Sequence, residues 1–413
     1  RHFANTFFNV ARGGIFDHDY RIPTGDLRSF VARASRPVAE RHQAFLGALP
    51  ETVPHDRLLR EVREQGDPDL ERLAGEYLPL TFSRRHGDPS RPWNLFAIEI
   101  KDEHGRKVLS YQGNWRDIFQ NWEALALSFP GYVEGMVFRF LNGSTADGYN
   151  PYRVTRDGFE WEVPEPENPW SNIGYWGDHQ IVYLLKLLEL SASCHPGALE
   201  ELLTRDLFVS VNVPYRIKPY EELLADPRDT IEFDTALDQA LKERMGAVGS
   251  DGYLWTSGDD LYRVNLCEKL LVPVLAKLSS FIPEAGIWMN TQRPEWNDAN
   301  NALVGYGVSM VTLCYLRRYL AFAQRLFARL QGDGAPVSEA VVRHLEEVTR
   351  VLRENAGLLS GPLSDRVRRR VLDGLGEAGG EYRRVLYAEG LSGRRRAVST
   401  AELVGFCDLA LSW

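Results

Sequence analysis

Apolar residues recur at helical spacing through most of the chain. Residues 26–47 place them three and four apart, and Asp26 stands where a helix cap belongs. Residues 57–77 repeat the pattern. The stretch NWRDIFQNWEALALSF, residues 114–129, predicts an amphipathic helix stopped by Pro130-Gly131. Residues 172–191 predict a helix with a polar entry and an apolar body, which is the pattern of a buried helix. Further helices are expected over 232–245, 261–280, 301–330, 338–358 and 364–375. Residues 94–113 alone suggest a β-hairpin, with Asp102, His104 and Gly105 in its turn. Three long polar stretches, 142–169, 246–260 and 283–300, are expected as loops, and ordered loops of that length tend to be functional.

No Pro/Gly/Ser linker divides the chain, so the pattern predicts one large helical domain with an N-terminal arm over residues 1–90. With 44% hydrophobic and 25% charged residues among 413, the chain is expected to fold. A net charge of -9 disfavours nucleic acid as a partner. No apolar run is long enough for a membrane span, so no membrane partner is expected. The first residue is Arg1, and no signal segment follows; the expectation is a piece of a longer chain, with the cytoplasm favoured as its compartment. The oligomeric state is not legible.

Cys194, Cys267, Cys314 and Cys407 are too scattered for a zinc or redox pair and are expected as buried free thiols. Eight of the ten tryptophans lie between Trp115 and Trp296. Several stand beside Asp, Asn, Gly or Glu, which suits the wall of a polar cleft.

Four segments concentrate polar chemistry. TQRPEWNDANNALVGYG carries Glu295, Trp296, Asn297 and Asp298 just before an apolar helix. YQGNWRDIFQNWEAL places Trp115, Arg116 and Asp117 in a first helical turn. NPWSNIGYWGDHQIVYLLKL holds Tyr175, Trp176, Asp178, His179 and Gln180 at the mouth of a buried helix, where polar groups need partners or a wet cavity. NGSTADGYNPYRVTRDGFEWE offers Tyr149 and Asn150. Each segment also has a plain structural reading, as capping, dipole matching or a packed loop. Phosphate-binding loops, dinucleotide fingerprints, nucleophile elbows and zinc-helix motifs are all missing from the sequence, and no metal or cofactor is implied. What remains is carboxyl chemistry in an aromatic, amide-rich cleft, which glycoside cleavage requires.

A helical chain in which NWRD, YWGDHQ and EWNDANN each open a helix resembles the six-hairpin glycosidase superfamily over residues 90–330. The resemblance implies an all-α (α/α)6 toroid of helical hairpins with a small β-hairpin insertion, spanning 91–413 and including the 1–90 arm. It implies a carbohydrate-active enzyme that cleaves a glycosidic bond with inversion, acting on an oligosaccharide or glycoside. The WND of Trp296–Asp298 is similar to the motif of the cellobiose phosphorylase group, whose Asp is the general acid; that makes Asp298 the acid here. Here Ala299 follows where that group has Gly. The second carboxylate is open between Asp178 and Glu295. The WRD element implies Arg116 and Asp117 as sugar binders, with Trp115, Asn150, Tyr175, Trp176, His179, Gln180, Trp296 and Asn297 around them. Phosphorolysis, a lyase or epimerase on a similar toroid, and a non-catalytic binding domain remain alternatives.

Overall fold

The computed structural model describes residues 3, 15–84, 101–167, 180–290 and 305–413. Helices predominate, with small sheets between them. No described helix is long and apolar enough to cross a membrane.

The helix predicted over 114–129 is Trp115–Ser128. That predicted over 26–47 breaks into Thr24–Ala34, Arg36–Arg41 and Gln43–Ala48. The first break is Ser35, which is extended at φ -149°, just before a piece whose first turn holds Pro37. Proline has no N–H to continue a helical ladder. Asp26 is not the cap. Pro23 holds that position, and the Asp26 carboxylate instead accepts from Tyr77 Oη at 2.6 Å and Arg156 Nη2 at 2.8 Å. The 57–77 pattern splits into His55–Glu64 and Pro68–Glu76, and Asp67 caps the second piece through the backbone N–H groups of Asp69 and Leu70.

Of the helix predicted over 172–191, Gln180–Cys194 is described. The later helices are Thr235–Val248, Leu266–Leu278, Met310–Phe327, Glu339–Asn355 and Asp365–Glu389. Four described helices were not expected, the short Ala198–Leu202 and Tyr220–Ala225 and two longer ones. Val133–Gly143 is buried almost all round, so it has no polar stripe. Thr400–Ser412 is announced only by a capping box between Ser399 and Glu402.

The hairpin turn forms where it was predicted: Gly105 has φ +75°, and Asp102 accepts from the backbone of His104 and Arg106 at 2.9 Å. β structure is nevertheless wider than one hairpin. Among the described residues there are six small sheets. The largest orders Thr81–Arg84, Ser110–Asn114, Arg153–Thr155 and Gly158–Glu160 side by side. The polar stretch 142–169 therefore contains a β-hairpin, paired through Arg153 and Glu160, rather than an open loop.

Aromatic packing centres on Trp115. Its ring lies 4.8 Å from Phe119, 5.0 Å from Phe140 and 5.9 Å from Phe159 between centroids. Trp122 packs edge-on to Phe119 at 5.1 Å. Both tryptophans are fully buried, so these two are core rather than cleft wall. The cysteines divide as well: Cys267 and Cys407 are buried, but Cys194 and Cys314 are exposed, because each of the latter lies on a helix face turned to solvent.

The N-terminal helices are fastened to the rest by buried charge. Arg72 Nη1 donates to Glu76 Oε1 at 3.0 Å and Arg72 Nη2 to Asp251 Oδ2 at 2.6 Å. Arg139 Nη1 reaches Glu76 Oε2 at 3.1 Å, and Asn142 Nδ2 reaches Glu76 Oε1 at 2.7 Å. The second guanidinium nitrogen of Arg139 donates to the carbonyls of Thr155, Arg156 and Gly158. Burial pushes the Asp251 carboxyl up to about 6, against the pull of Arg72. Arg205–Glu71 at 2.7 Å and Arg263–Asp69 at 3.0 Å extend the contact towards the surface.

Among the C-terminal helices, His344 is enclosed with its ring stacked on Tyr382 at 4.8 Å and its Nε2 3.0 Å from Ser279 Oγ. Burial, helped by the Arg383 charge, pushes its pKa down to about 3.

Removing one member of a buried ion network strands the others, at a cost of about 3–5 kcal/mol. Glu76→Ala should lower unfolding free energy in urea by that amount, and an effect under about 1 kcal/mol would show the network to be dispensable. For His344, the unfolded side chain takes a proton below about 6.5 while the folded one stays neutral, so its stabilisation is full above that pH and falls as pH drops. The stability gap between wild type and His344→Gln should therefore shrink by about 2 kcal/mol from pH 7 to pH 5 in paired urea titrations. A constant gap would contradict a neutral, enclosed imidazole.

Candidate functional site

Three polar segments singled out in the sequence meet at the turn that follows Val133–Gly143. Thr145 and Tyr149 close the turn: Thr145 N donates to Tyr149 O at 2.9 Å, and Tyr149 N donates to Thr145 Oγ1 at 2.9 Å. Gly148 has φ +89°, and a Cβ there would come within 2.5 Å of Ala276 Cβ and 3.0 Å of Val272 O. Only glycine lets the turn rest against the Leu266–Leu278 helix. Gln180, at the mouth of its helix, donates through Nε2 to Gly148 O at 2.7 Å. Trp115, at the start of its own helix, donates its backbone N–H to Tyr152 O at 3.1 Å. The starts of the helices at Trp115 and Gln180 and the end of the helix at Gly143 thus lie at one end of the packed group.

The floor of this region is polar and enclosed. Asp147 accepts from Thr145 Oγ1 and from Tyr387 Oη, both at 2.5 Å. Tyr382 Oη donates to Ala146 O at 2.6 Å. Lys277 Nζ lies 5.0 Å from the centre of the Tyr149 ring. Burial pushes the Tyr149 phenol up to about 12, so it stays a neutral donor near neutral pH. Burial and the neighbouring Asp147 carboxylate raise Tyr387 in the same direction. The result is an enclosed cluster in which the Thr145, Tyr382 and Tyr387 hydroxyls are each fixed on a protein acceptor and the buried Lys277 lies over the Tyr149 ring.

Placement of the predicted residues is uneven. Asn150 is buried beside the turn, with Nδ2 donating to Pro151 O at 3.0 Å. Gln180 is buried on Gly148, as above. Trp115 contributes its backbone to the junction, while its ring is taken up by the aromatic core. Arg116 and Asp117 face each other, Nε to Oδ1 at 3.8 Å, and are only partly buried. Asp178, Glu295, Asp298, Tyr175, Trp176, His179, Trp296 and Asn297 lie outside the described residues.

Asp147, Lys277, Tyr382, Arg383 and Tyr387 escaped the sequence reading. The Arg- and Glu-rich composition of the C-terminal helix predicts a solvated face. Its legible signal was glycine spacing: a Cβ at Gly379 would meet Ser279 Oγ at 2.5 Å, so the helix must approach closely and bury the face carrying Tyr382 and Arg383. Of the C-terminal carboxylates, Glu381 pairs with Arg384, and Glu402 is held by Ser399 and Arg396.

Residues 16–79 match the family described as glycoside hydrolase family 149 insertion domain 1. A search of curated proteins finds no match. The matched segment is the helical part that the Arg72–Glu76 network fastens to the 139–158 region. The chain is therefore similar, over that N-terminal part, to an insertion domain of a glycoside hydrolase family.

Proposed function

We propose that the chain belongs to a carbohydrate-active enzyme that cleaves a glycosidic bond by general acid chemistry with inversion, on an (α/α)6 toroid. The observation that carries this reading is the meeting of the Trp115, Asn150 and Gln180 segments at one enclosed polar turn. The similarity of residues 16–79 to a glycoside hydrolase family insertion domain supports it. In this reading Asp298 protonates the leaving oxygen. Asp178 or Glu295 directs water to the anomeric carbon, or phosphate attacks in its place. Asn150, Gln180 and Arg116 hold sugar hydroxyls, with Trp176 and Trp296 stacking on the ring. The acid needs a raised pKa, which burial beside a second carboxylate supplies.

The test is sugar release from a panel of α- and β-linked disaccharides and oligosaccharides, with and without phosphate. Asp298→Asn should reduce release by about 10²–10⁴-fold, the usual contribution of a general acid. Undiminished release by the variant would remove Asp298 from the reaction. A requirement for phosphate would move the reaction from hydrolysis to phosphorolysis.

A further inference from the structure

A small cavity lies in the buried charge network that joins residues 16–79, the segment similar to an insertion domain, to the rest of the chain. Arg72 and Glu76 line it from that segment, and Arg139, Asp157 and Asp251 line it from outside. Its volume is about 10 Å³. One buried water needs roughly 10–15 Å³ of such space and two to four polar partners.

The walls of this cavity carry unmade hydrogen bonds. Arg72 and Arg139 are only 1% and 3% exposed. Their terminal nitrogens are engaged, those of Arg72 by Glu76 and Asp251, those of Arg139 by Glu76 and the carbonyls of Thr155, Arg156 and Gly158. In each guanidinium the Nε is enclosed and meets no acceptor among the described residues. Asp157 Oδ1 is enclosed as well. It lies 3.2 Å from Arg33 Nε in an ion pair, yet it accepts no hydrogen bond among the described residues. An enclosed N–H without an acceptor costs its full desolvation, so buried groups of this kind are satisfied by ordered water where protein does not reach them.

Charge and size select the occupant. Arg72 and Arg139 are balanced by Glu76 and Asp251. An anion would face the Glu76, Asp157 and Asp251 carboxylates, and a cation would face two guanidiniums. A neutral molecule that both accepts and donates meets neither penalty, and water is the one that fits so small a space.

We propose that this cavity is the binding site of one internal water molecule, which accepts from Arg72 Nε and Arg139 Nε and donates to Asp157 Oδ1. The water is then a member of the network in its own right. It bridges the 16–79 segment, through Arg72, to the 139–158 region, through Arg139 and Asp157. The inference is independent of the glycosidic reading and survives or fails without it.

The experiment pairs a high-resolution crystal structure of the wild type with a count of long-lived internal waters by oxygen-17 relaxation dispersion. The count is made on wild type and on two variants that fill the cavity from different walls, Ala34→Val and Val209→Ile. The crystal structure should show a water within about 3.2 Å of both Nε atoms. Each variant should hold one long-lived water fewer than wild type. Each should also melt lower, although it buries more apolar surface, because two enclosed N–H groups lose their acceptor. A dry cavity would give the opposite, an unchanged count and a higher melting temperature. The proposal is overturned by that result, by a wild-type map with no water on the two Nε atoms, or by an ion in its place. If neither variant folds, the wild-type map decides alone.

Discussion

The Glu76 carboxylate is the constraint on which the rest depends. One oxygen takes Arg72 and Asn142, and the other takes Arg139. Through Arg72 it is tied to Asp251, and through Arg139 to the carbonyls of the Arg153–Glu160 hairpin. Asn142 passes the constraint on, since its Oδ1 accepts from Val209 N at 3.0 Å. Residues far apart in sequence are thus fixed by one enclosed group. Charges buried this deeply are stable only when every partner is present, so the network acts as a lock rather than a set of independent bonds. It sits directly behind the turn that carries Asp147, Tyr149 and Asn150.

That arrangement gives the N-terminal helices a role. They hold Arg139 and Asn142, which lie on the helix leading into it. Gly148 then seats the turn on the Leu266–Leu278 helix, and Tyr382 and Tyr387 clamp it from the C-terminal helix. Parts of the chain far apart in sequence thus converge on a few residues. Such fixation is what a site needs in order to present hydroxyl and amide groups without rearrangement.

The sequence was informative where local chemistry decides and silent where packing decides. The helix at Trp115–Ser128 and the turn at Asp102–Gly105 were readable because a stripe and an Asx turn are local signals. Ser35 broke a predicted helix because Pro37 outweighed a good apolar pattern. Val133–Gly143 was invisible because a helix buried on all sides has no polar face to set the period. In the candidate site, Asn150 and Gln180 were legible as polar residues at an apolar boundary. The Asp147–Tyr387 pair was not, because only the tertiary approach of the C-terminal helix brings the Tyr387 hydroxyl onto the Asp147 carboxylate. Trp115 shows the converse, since a polar sequence neighbourhood concealed a core side chain.

The central claim is that the polar turn over residues 144–153 is where carbohydrate binds. Hydrogen–deuterium exchange of the chain with and without a mixture of α- and β-linked glucose oligosaccharides tests it most directly. The account predicts added protection confined to residues 144–153 and to the helix starts at Trp115 and Gln180. Protection confined to other parts of the chain, or none with any oligosaccharide, would contradict it.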